Sequence, residues 1–355
     1  KKLNGGNGDH GAIRLSTGPV TSPTTASVIQ NFLRRFKNSK HIEYDALSCS
    51  AILDAHEKTH GKRILPHYRF DGADVIVSID ADFLGTWISP VEFTSAYRSA
   101  RTLKGNPPKF SYHVQLESRV SLTGSNADKR VSLSPGGLRK AVRELASGIA
   151  RRAGKSLVLP LSGDTMMDEY VERLWSARGK SLVVCGINDT DIQILINFIN
   201  HTLGNYGATV DIERPSHQRR GSDVAFQELF AEIKSGSLAA LIIEGANPVY
   251  DLPNGKELAG WMKNIPLVVT LSHRLDETAS ASHIVCSEPH ALEFWADSEP
   301  VAGTYALSQP VIQPFGSTRP LIECLSTWMG EGKSSYDTIR EYWKSSVFSL
   351  QNDES

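Results

Sequence analysis

Apolar residues fall along this chain in two patterns that take turns. One is the short unbroken run, as in residues 73–79 (ADVIVSI), 181–185 (SLVVC), 239–244 (AALIIE) and 267–271 (LVVTL). A run without alternation predicts a strand covered on both faces, the usual state of a parallel sheet in an α/β protein. The other is the stripe at helical spacing. Val28, Ile29, Phe32, Leu33 and Phe36 form one; Val142, Leu145, Ile149 and Ala153 a second; Ile192, Leu195, Ile196, Ile199 and Leu203 a third; Phe226, Leu229, Phe230 and Ile233 a fourth. Each predicts a helix with one buried face. Shorter strands are expected at 12–15, 41–42, 112–116 and 283–286, with further helices at 46–60, 91–101, 165–176 and 336–343. Asp189 suits a helix N-cap, while Gly61, Gly204 and Gly236 suit helix ends. The alternation predicts an α/β protein. It runs through two cycles, at 1–155 and 156–330, and residues 331–355 read as a polar tail or linker.

Composition narrows the function classes. The chain has 355 residues, 22% of them charged, and a formal net charge of −1. That balance argues against a nucleic-acid binder, which carries a basic face. The longest apolar stretches are strand-length, so no membrane span is expected. The start, Lys1-Lys2-Leu3-Asn4, has neither Met nor an apolar signal core and reads as the cut end of a larger protein. Cys49, Cys185, Cys286 and Cys324 are scattered with no C-x-x-C, so no zinc ribbon or local iron–sulfur motif is present. Cys185 and Cys286 end apolar runs and read as core residues; nothing in the spacing asks for a disulfide.

Two motif types invite chemistry and do not carry it. His56-Glu57-Lys58-Thr59-His60 matches the H-E-x-x-H pattern of zinc hydrolases, with His67 a conceivable third ligand. His60, however, abuts the Gly61 stop, and Ile52 on the same stripe points to a packed face. The expectation is a satisfied helix end, with a zinc hydrolase kept as a remote alternative. Gly154-Lys155-Ser156, Gly179-Lys180-Ser181 and Gly332-Lys333-Ser334 each lack the phosphate loop's first glycine, Ile149, Leu174 and Thr327 standing there instead. The Gly-rich start (Gly5, Gly6, Gly8, Gly11) follows no strand, and no G-x-S-x-G occurs.

The turns that end the strands are more informative. The run 238–244 stops at Gly245-Ala246-Asn247-Pro248. Gly245 permits a sharp turn, and Pro248 holds Asn247 out of helical geometry with its amide expected to point outward. Gly186-Ile187-Asn188-Asp189 follows 181–185 and opens a helix, Thr270-Leu271-Ser272-His273 closes the next strand, and Ser16-Thr17-Gly18 closes the first. In open α/β sheets ligands sit beyond the carboxyl ends of strands. Any ligand site is therefore expected at Gly186, Asn188, Gly245, Asn247, Pro248, Ser272 and His273. In the first half, Asp80-Ala81-Asp82 closes 73–79, and its charges would repel a phosphate.

On these residues the chain resembles the molybdopterin oxidoreductase superfamily. The family's recurring G-x-N-P is intact at 245–248 and replaced at Ser78-Ile79-Asp80-Ala81-Asp82. Its D-E-T-A segment is similar to Asp276-Glu277-Thr278-Ala279, and Ala302-Gly303-Thr304-Tyr305 with Gln309-Pro310 and Pro320 is similar to the segment closing its third domain. The runs 67–70, 73–78 and 82–87 resemble the large iron–sulfur subunit of bacterial alternative complex III. The resemblance implies two Rossmann-like, doubly wound domains with mainly parallel sheets. It further implies a degenerate, non-catalytic scaffold within a quinol-oxidising complex at the periplasmic face of the bacterial cytoplasmic membrane. The expected partners are a ferredoxin-like iron–sulfur domain of the same polypeptide and membrane and cytochrome subunits. No cofactor or metal is expected, beyond a vestigial molybdopterin guanine dinucleotide site. The alternative is a fragment of an active molybdenum bis-guanine-dinucleotide oxidoreductase.

Overall fold

The computed structural model describes residues 11–102, 108–157, 159 and 166–351. It divides into two compact units, residues 1–48 with 220–355, and residues 49–219. The cut at 155/156 expected from the order of the elements does not hold, because strand pairing crosses it. Strand Val75–Ile79 pairs in parallel with Ser181–Cys185. Strand Ala12–Thr17 pairs in parallel with Leu238–Glu244. The second unit is thus inserted between the second and third strands of the first.

The first unit carries a five-stranded parallel sheet, in spatial order Ile284–Ser287, Leu267–Ser272, Leu238–Glu244, Ala12–Thr17 and Ser39–Glu43. Numbered along this unit the order is 2-1-3-4-5, a doubly wound sheet whose direction switches between Ala12–Thr17 and Leu238–Glu244. Side chains alternate across it. Leu15, Ile242, Val269 and Leu271 pack with Ile29, Phe32 and Leu325 of helices Pro23–Leu33 and Leu321–Trp328. Ile42, Leu241, Ile243 and Val268 pack with Leu229, Ile233, Leu258 and Met262 of helices Asp223–Ser235 and Gly255–Met262. Two apolar layers on one sheet explain the uninterrupted apolar strands.

The region read as a polar tail folds onto this unit. Ser335 opens helix Ser335–Tyr342 and donates to Glu323 through its amide and hydroxyl. Trp343 Nε1 donates to Asp297 Oδ2 at 2.8 Å.

The second unit has a four-stranded parallel sheet ordered Lys129–Ser132, Tyr112–Glu117, Val75–Ile79 and Ser181–Cys185, or 3-2-1-4 along the unit. Its switch lies between Val75–Ile79 and Ser181–Cys185. Helices Pro135–Arg152, Asp168–Ser176 and Thr190–Thr202 cover one face. Helix Ser50–His60 and the rings of Phe70, Phe83 and Phe93 cover the other. Of the helix expected at 165–176, Thr165 lies outside the described residues, as do Gly5, Gly6 and Gly8.

Both switch points are closed by main chain on main chain. The Gly186 amide donates to the Ile79 carbonyl at 2.9 Å, and a Cβ at 186 would lie 2.2 Å from the Asp80 carbonyl oxygen. The Gly18 amide donates to the Glu244 carbonyl at 2.9 Å, and a Cβ at 18 would lie 2.7 Å from the Gly245 oxygen. Gly186→Ala is accordingly expected to cost about 1–3 kcal/mol in urea unfolding. Gly136→Ala, where an added Cβ meets nothing within 4 Å, should change stability by less than about 0.5 kcal/mol or raise it slightly.

Candidate functional site

The two sheets end in the same construction. In the first unit Gly245 follows strand Leu238–Glu244 with φ +63, the left-handed geometry that its lack of Cβ permits. Asn247 Oδ1 then accepts from the Thr278 amide at 3.1 Å and the Thr278 hydroxyl at 2.7 Å. The same hydroxyl accepts from the Val249 amide at 3.1 Å. In the second unit Asp80 occupies Gly245's place with φ +52, which aspartate tolerates better than most residues. Asp82 Oδ1 accepts from the Thr123 amide at 3.0 Å and hydroxyl at 2.8 Å, and that hydroxyl accepts from the Leu84 amide at 2.9 Å. Thr123 and Thr278 are both fully buried. The replaced G-x-N-P copy is therefore the structural equivalent of the intact one, with aspartates at the glycine and asparagine positions.

This arrangement corrects the expectation that Asn247 offers a free amide. Its Nδ2 donates to Glu277 Oε2 at 2.8 Å, and that bond lowers the Glu277 carboxyl below its ordinary range. Both ends of the Asn247 amide bond to the D-E-T-A segment. Ser272 is likewise engaged, donating to Asp276 at 3.2 Å and accepting from the Arg274 amide at 3.2 Å. His273 Nε2 accepts from Arg274 Nε at 3.0 Å. Pro248 is buried at the start of the short helix Pro248–Asp251.

Of the seven expected residues, Gly245, Asn247, Pro248, Ser272 and His273 belong to the first unit and Gly186 and Asn188 to the second. Asn188 Oδ1 accepts from the Ala51 amide at 3.0 Å, so it serves helix Ser50–His60. The helix start beyond it is capped by Asp189, which accepts from the Asp191 and Ile192 amides and is ion-paired with Arg139. The amides of Gly186, Asp189, Asp191 and Ile192, among those expected there for a pyrophosphate, bond within the chain.

One open depression of about 390 Å³ lies at the carboxyl edge of the first unit, lined by Asn247, Tyr250, His273, Arg274, Asp276 and Glu277. Tyr250 and Arg274 could not be singled out from sequence, because an exposed Tyr or Arg after a strand has no distinguishing spacing. Nearby, carboxylates fill the positions where an anion could dock. Asp297, almost fully buried, accepts from the Ser22 and Thr24 hydroxyls at the start of helix Pro23–Leu33. His41 Nε2 lies 2.8 Å from Thr17 Oγ1; burial first, and Arg220 second, pull its pKa down to about 4. Burial raises the Glu244 carboxyl, and burial together with the Glu244 charge raises that of Glu288.

The histidine pair of H-E-x-x-H is committed elsewhere. His56 is buried, its Nδ1 2.8 Å from the Ile52 carbonyl and its Nε2 3.1 Å from the Tyr206 hydroxyl. Among the described residues no group of three or more His, Cys, Asp or Glu is placed to hold a metal ion. The described structure has four free cysteines; Cys49 is buried as the N-cap residue of Ser50–His60.

Neither a protein-family model nor a curated protein matches the sequence. Solved structures share the fold. Acetylene hydratase from Pelobacter acetylenicus superposes with a TM-score of 0.59 at 12% identity, over 90% of this chain and 55% of its own. The chain thus spans about half of that enzyme. A chain of the formyltransferase/hydrolase complex from Methylorubrum extorquens, solved with methylofuran, superposes with a TM-score of 0.57 at 12% identity, over 88% of this chain and 93% of its own. At this identity the likeness concerns the fold alone.

Two outcomes follow from the site. Thr123→Val and Thr278→Val, which strand the backbone amides of Leu84 and Val249, are expected to cost about 1–2 kcal/mol by chemical unfolding, while Asp82→Asn, which keeps the accepting oxygen, costs less than about 0.5 kcal/mol. Second, Glu244 and Glu288 are raised in the folded state, so their penalty is absent below the ordinary carboxyl range and grows as pH rises through the raised values. The thermal stability of Glu288→Gln relative to the wild type should therefore rise from pH 5 to pH 9; a difference that does not change with pH counts against the pair.

Proposed function

We propose that this chain is a non-catalytic, molybdopterin-oxidoreductase-like domain that serves as a scaffold in a quinol-oxidising electron-transfer assembly of the alternative complex III type. The observation that carries this reading is the pair of self-closed turns. Asn247 and Asp82, which occupy the position of the G-x-N-P asparagine, both spend their side-chain oxygen on a buried threonine. The second unit adds Asp80 and Asp82 where a pyrophosphate would need donors. Helix starts at the carboxyl edges are capped by the chain's own Asp189 and held by Asp297.

In this reading the partners are a ferredoxin-like domain of the same polypeptide and the membrane and cytochrome subunits of the complex, on the periplasmic face. No helix among the described residues is long and apolar enough to cross a membrane, which suits a peripheral domain held by such partners. The fold shared with longer chains such as acetylene hydratase supports the second reading, a fragment of an active molybdenum enzyme, only as far as architecture goes.

Metal analysis separates the two. The purified chain, expressed in a host that makes molybdopterin guanine dinucleotide, is expected to carry no molybdenum or tungsten and to give no heat with GDP in calorimetric titration. Stoichiometric metal would overturn the scaffold reading. GDP binding abolished by Asn247→Ala would instead restore a nucleotide site at the depression.

A further inference from the structure

We propose that helix Ser50–His60 of the second unit is an acid-released latch, in which protonation of the histidines gathered around Tyr206 frees the helix from the core beneath it. This goes beyond the scaffold reading and does not depend on it. The geometry is a compact stack. His60 lies over Tyr206 with ring centroids 4.4 Å apart, His56 and His60 stack at 5.4 Å, and His201 approaches Tyr206 at 6.4 Å. His56 is almost fully buried, and its two ring nitrogens contact the Ile52 carbonyl and the Tyr206 hydroxyl. Asn197 Nδ2 donates to Thr59 Oγ1 at 2.9 Å, adding one neutral tie to helix Thr190–Thr202.

Among the described residues the side chains facing this cluster offer a proton no negative charge, and the Ile52 carbonyl is its one favourable contact. On the helix itself Glu57 and Lys58 are exposed. Helix Thr190–Thr202 presents His201, a second potential cation. The segment after it presents Tyr206, whose phenol is held neutral by burial. Strand Leu65–Tyr68 presents Tyr68, near Tyr206 and Cys185, and burial pushes both the Tyr68 phenol and the Cys185 thiol upward. Among the described residues no carboxylate bonds to His56, His60 or His201. Burial holds His56 neutral: it outweighs the bond to the Ile52 carbonyl, which favours the proton, and with His60 adding to it the titration falls from 6.5 to about 4. A depressed histidine destabilises the closed helix as pH drops below the free value. The closed state is intact above about pH 7 and weakens toward pH 4.

Hydrogen exchange read by mass spectrometry tests this on the whole chain. After correction for intrinsic rates, protection over residues 50–60 should fall about 30-fold between pH 7.5 and pH 5, the linkage expected for a histidine titrating at about 4 when closed and 6.5 when open. Helix Pro135–Arg152, which contains no histidine, serves as the reference and should hold its protection. His56→Gln should remove most of the pH effect. Should that variant not fold, Tyr206→Phe keeps the imidazoles and removes the phenol; it should expose 50–60 at pH 7.5 while keeping the further loss at pH 5. The proposal is overturned if 50–60 and 135–152 respond alike in the wild type, if the pH effect survives His56→Gln, or if Tyr206→Phe exchanges like the wild type at both pH values.

Discussion

A parallel sheet delivers all its strands to one edge, and the helix starts that follow leave amides without partners there. Something must satisfy them: water, a ligand or the chain itself. In both units the chain does so through one device, a buried threonine whose amide and hydroxyl bind the side-chain oxygen of the third turn residue and whose hydroxyl takes the amide two positions further on. The device ties the end of one strand to the short helix after its neighbour. It fixes the height of the Gly245 and Asp80 turns, against which Gly18 and Gly186 then close with no room for a side chain. The architecture of each carboxyl edge depends on that tie.

Correspondence extends around the threonine. Asp276 caps helix Glu277–Ser280 by accepting from the Ala279 amide, and Ser121 caps helix Leu122–Asn126 by accepting from the Gly124 amide. Ser272, four residues before Asp276, donates to it, and Glu117, four residues before Ser121, accepts from its hydroxyl at 2.5 Å. Burial pulls the Glu117 carboxyl upward, but the bonds from Ser121 and Arg130 outweigh it and leave it lowered. The same geometry is met in the two units by exchanging which partner is the acid. The exchange moves the negative charge from the cap position to the strand end and leaves one carboxylate and one hydroxyl at each site.

Much of this was legible in the sequence, and the reason is local. Strands covered on both faces must be apolar throughout, so Ser181–Cys185 and Leu238–Glu244 announce themselves. Caps are equally local: Asp189, Ser222 and Gly236 act where their types predict. Strands Leu65–Tyr68 and Val210–Ser216 were not legible, because they pair antiparallel and Asp211, Glu213 and Arg214 break any apolar run. Helix Leu321–Trp328 spans only two turns, too short for its Glu323 and Thr327 stripe to establish a period. The unit boundary was hidden for a different reason. Pairing of Ala12–Thr17 with Leu238–Glu244 is a long-range choice, set by which sheet completes its two layers, and the order of elements along the chain does not encode it.

The site shows where sequence reasoning stops. A G-x-N-P turn constrains its own backbone: Asn247 is non-helical and Gly245 left-handed, as the residue types require. It says nothing about where the Asn247 amide spends its donors and acceptor, because Thr278 and Glu277 lie on the far side of another strand. That tie gives the motif a structural role in the first unit. Removing the asparagine would strand the amide and the hydroxyl of a buried threonine, a cost that exists whether or not a ligand ever occupied the depression. In the second unit the same cost was avoided by Asp82, whose oxygen serves Thr123 equally well. An asparagine kept by packing and an aspartate tolerated at its equivalent position point to one constraint, which is the closure of the turn.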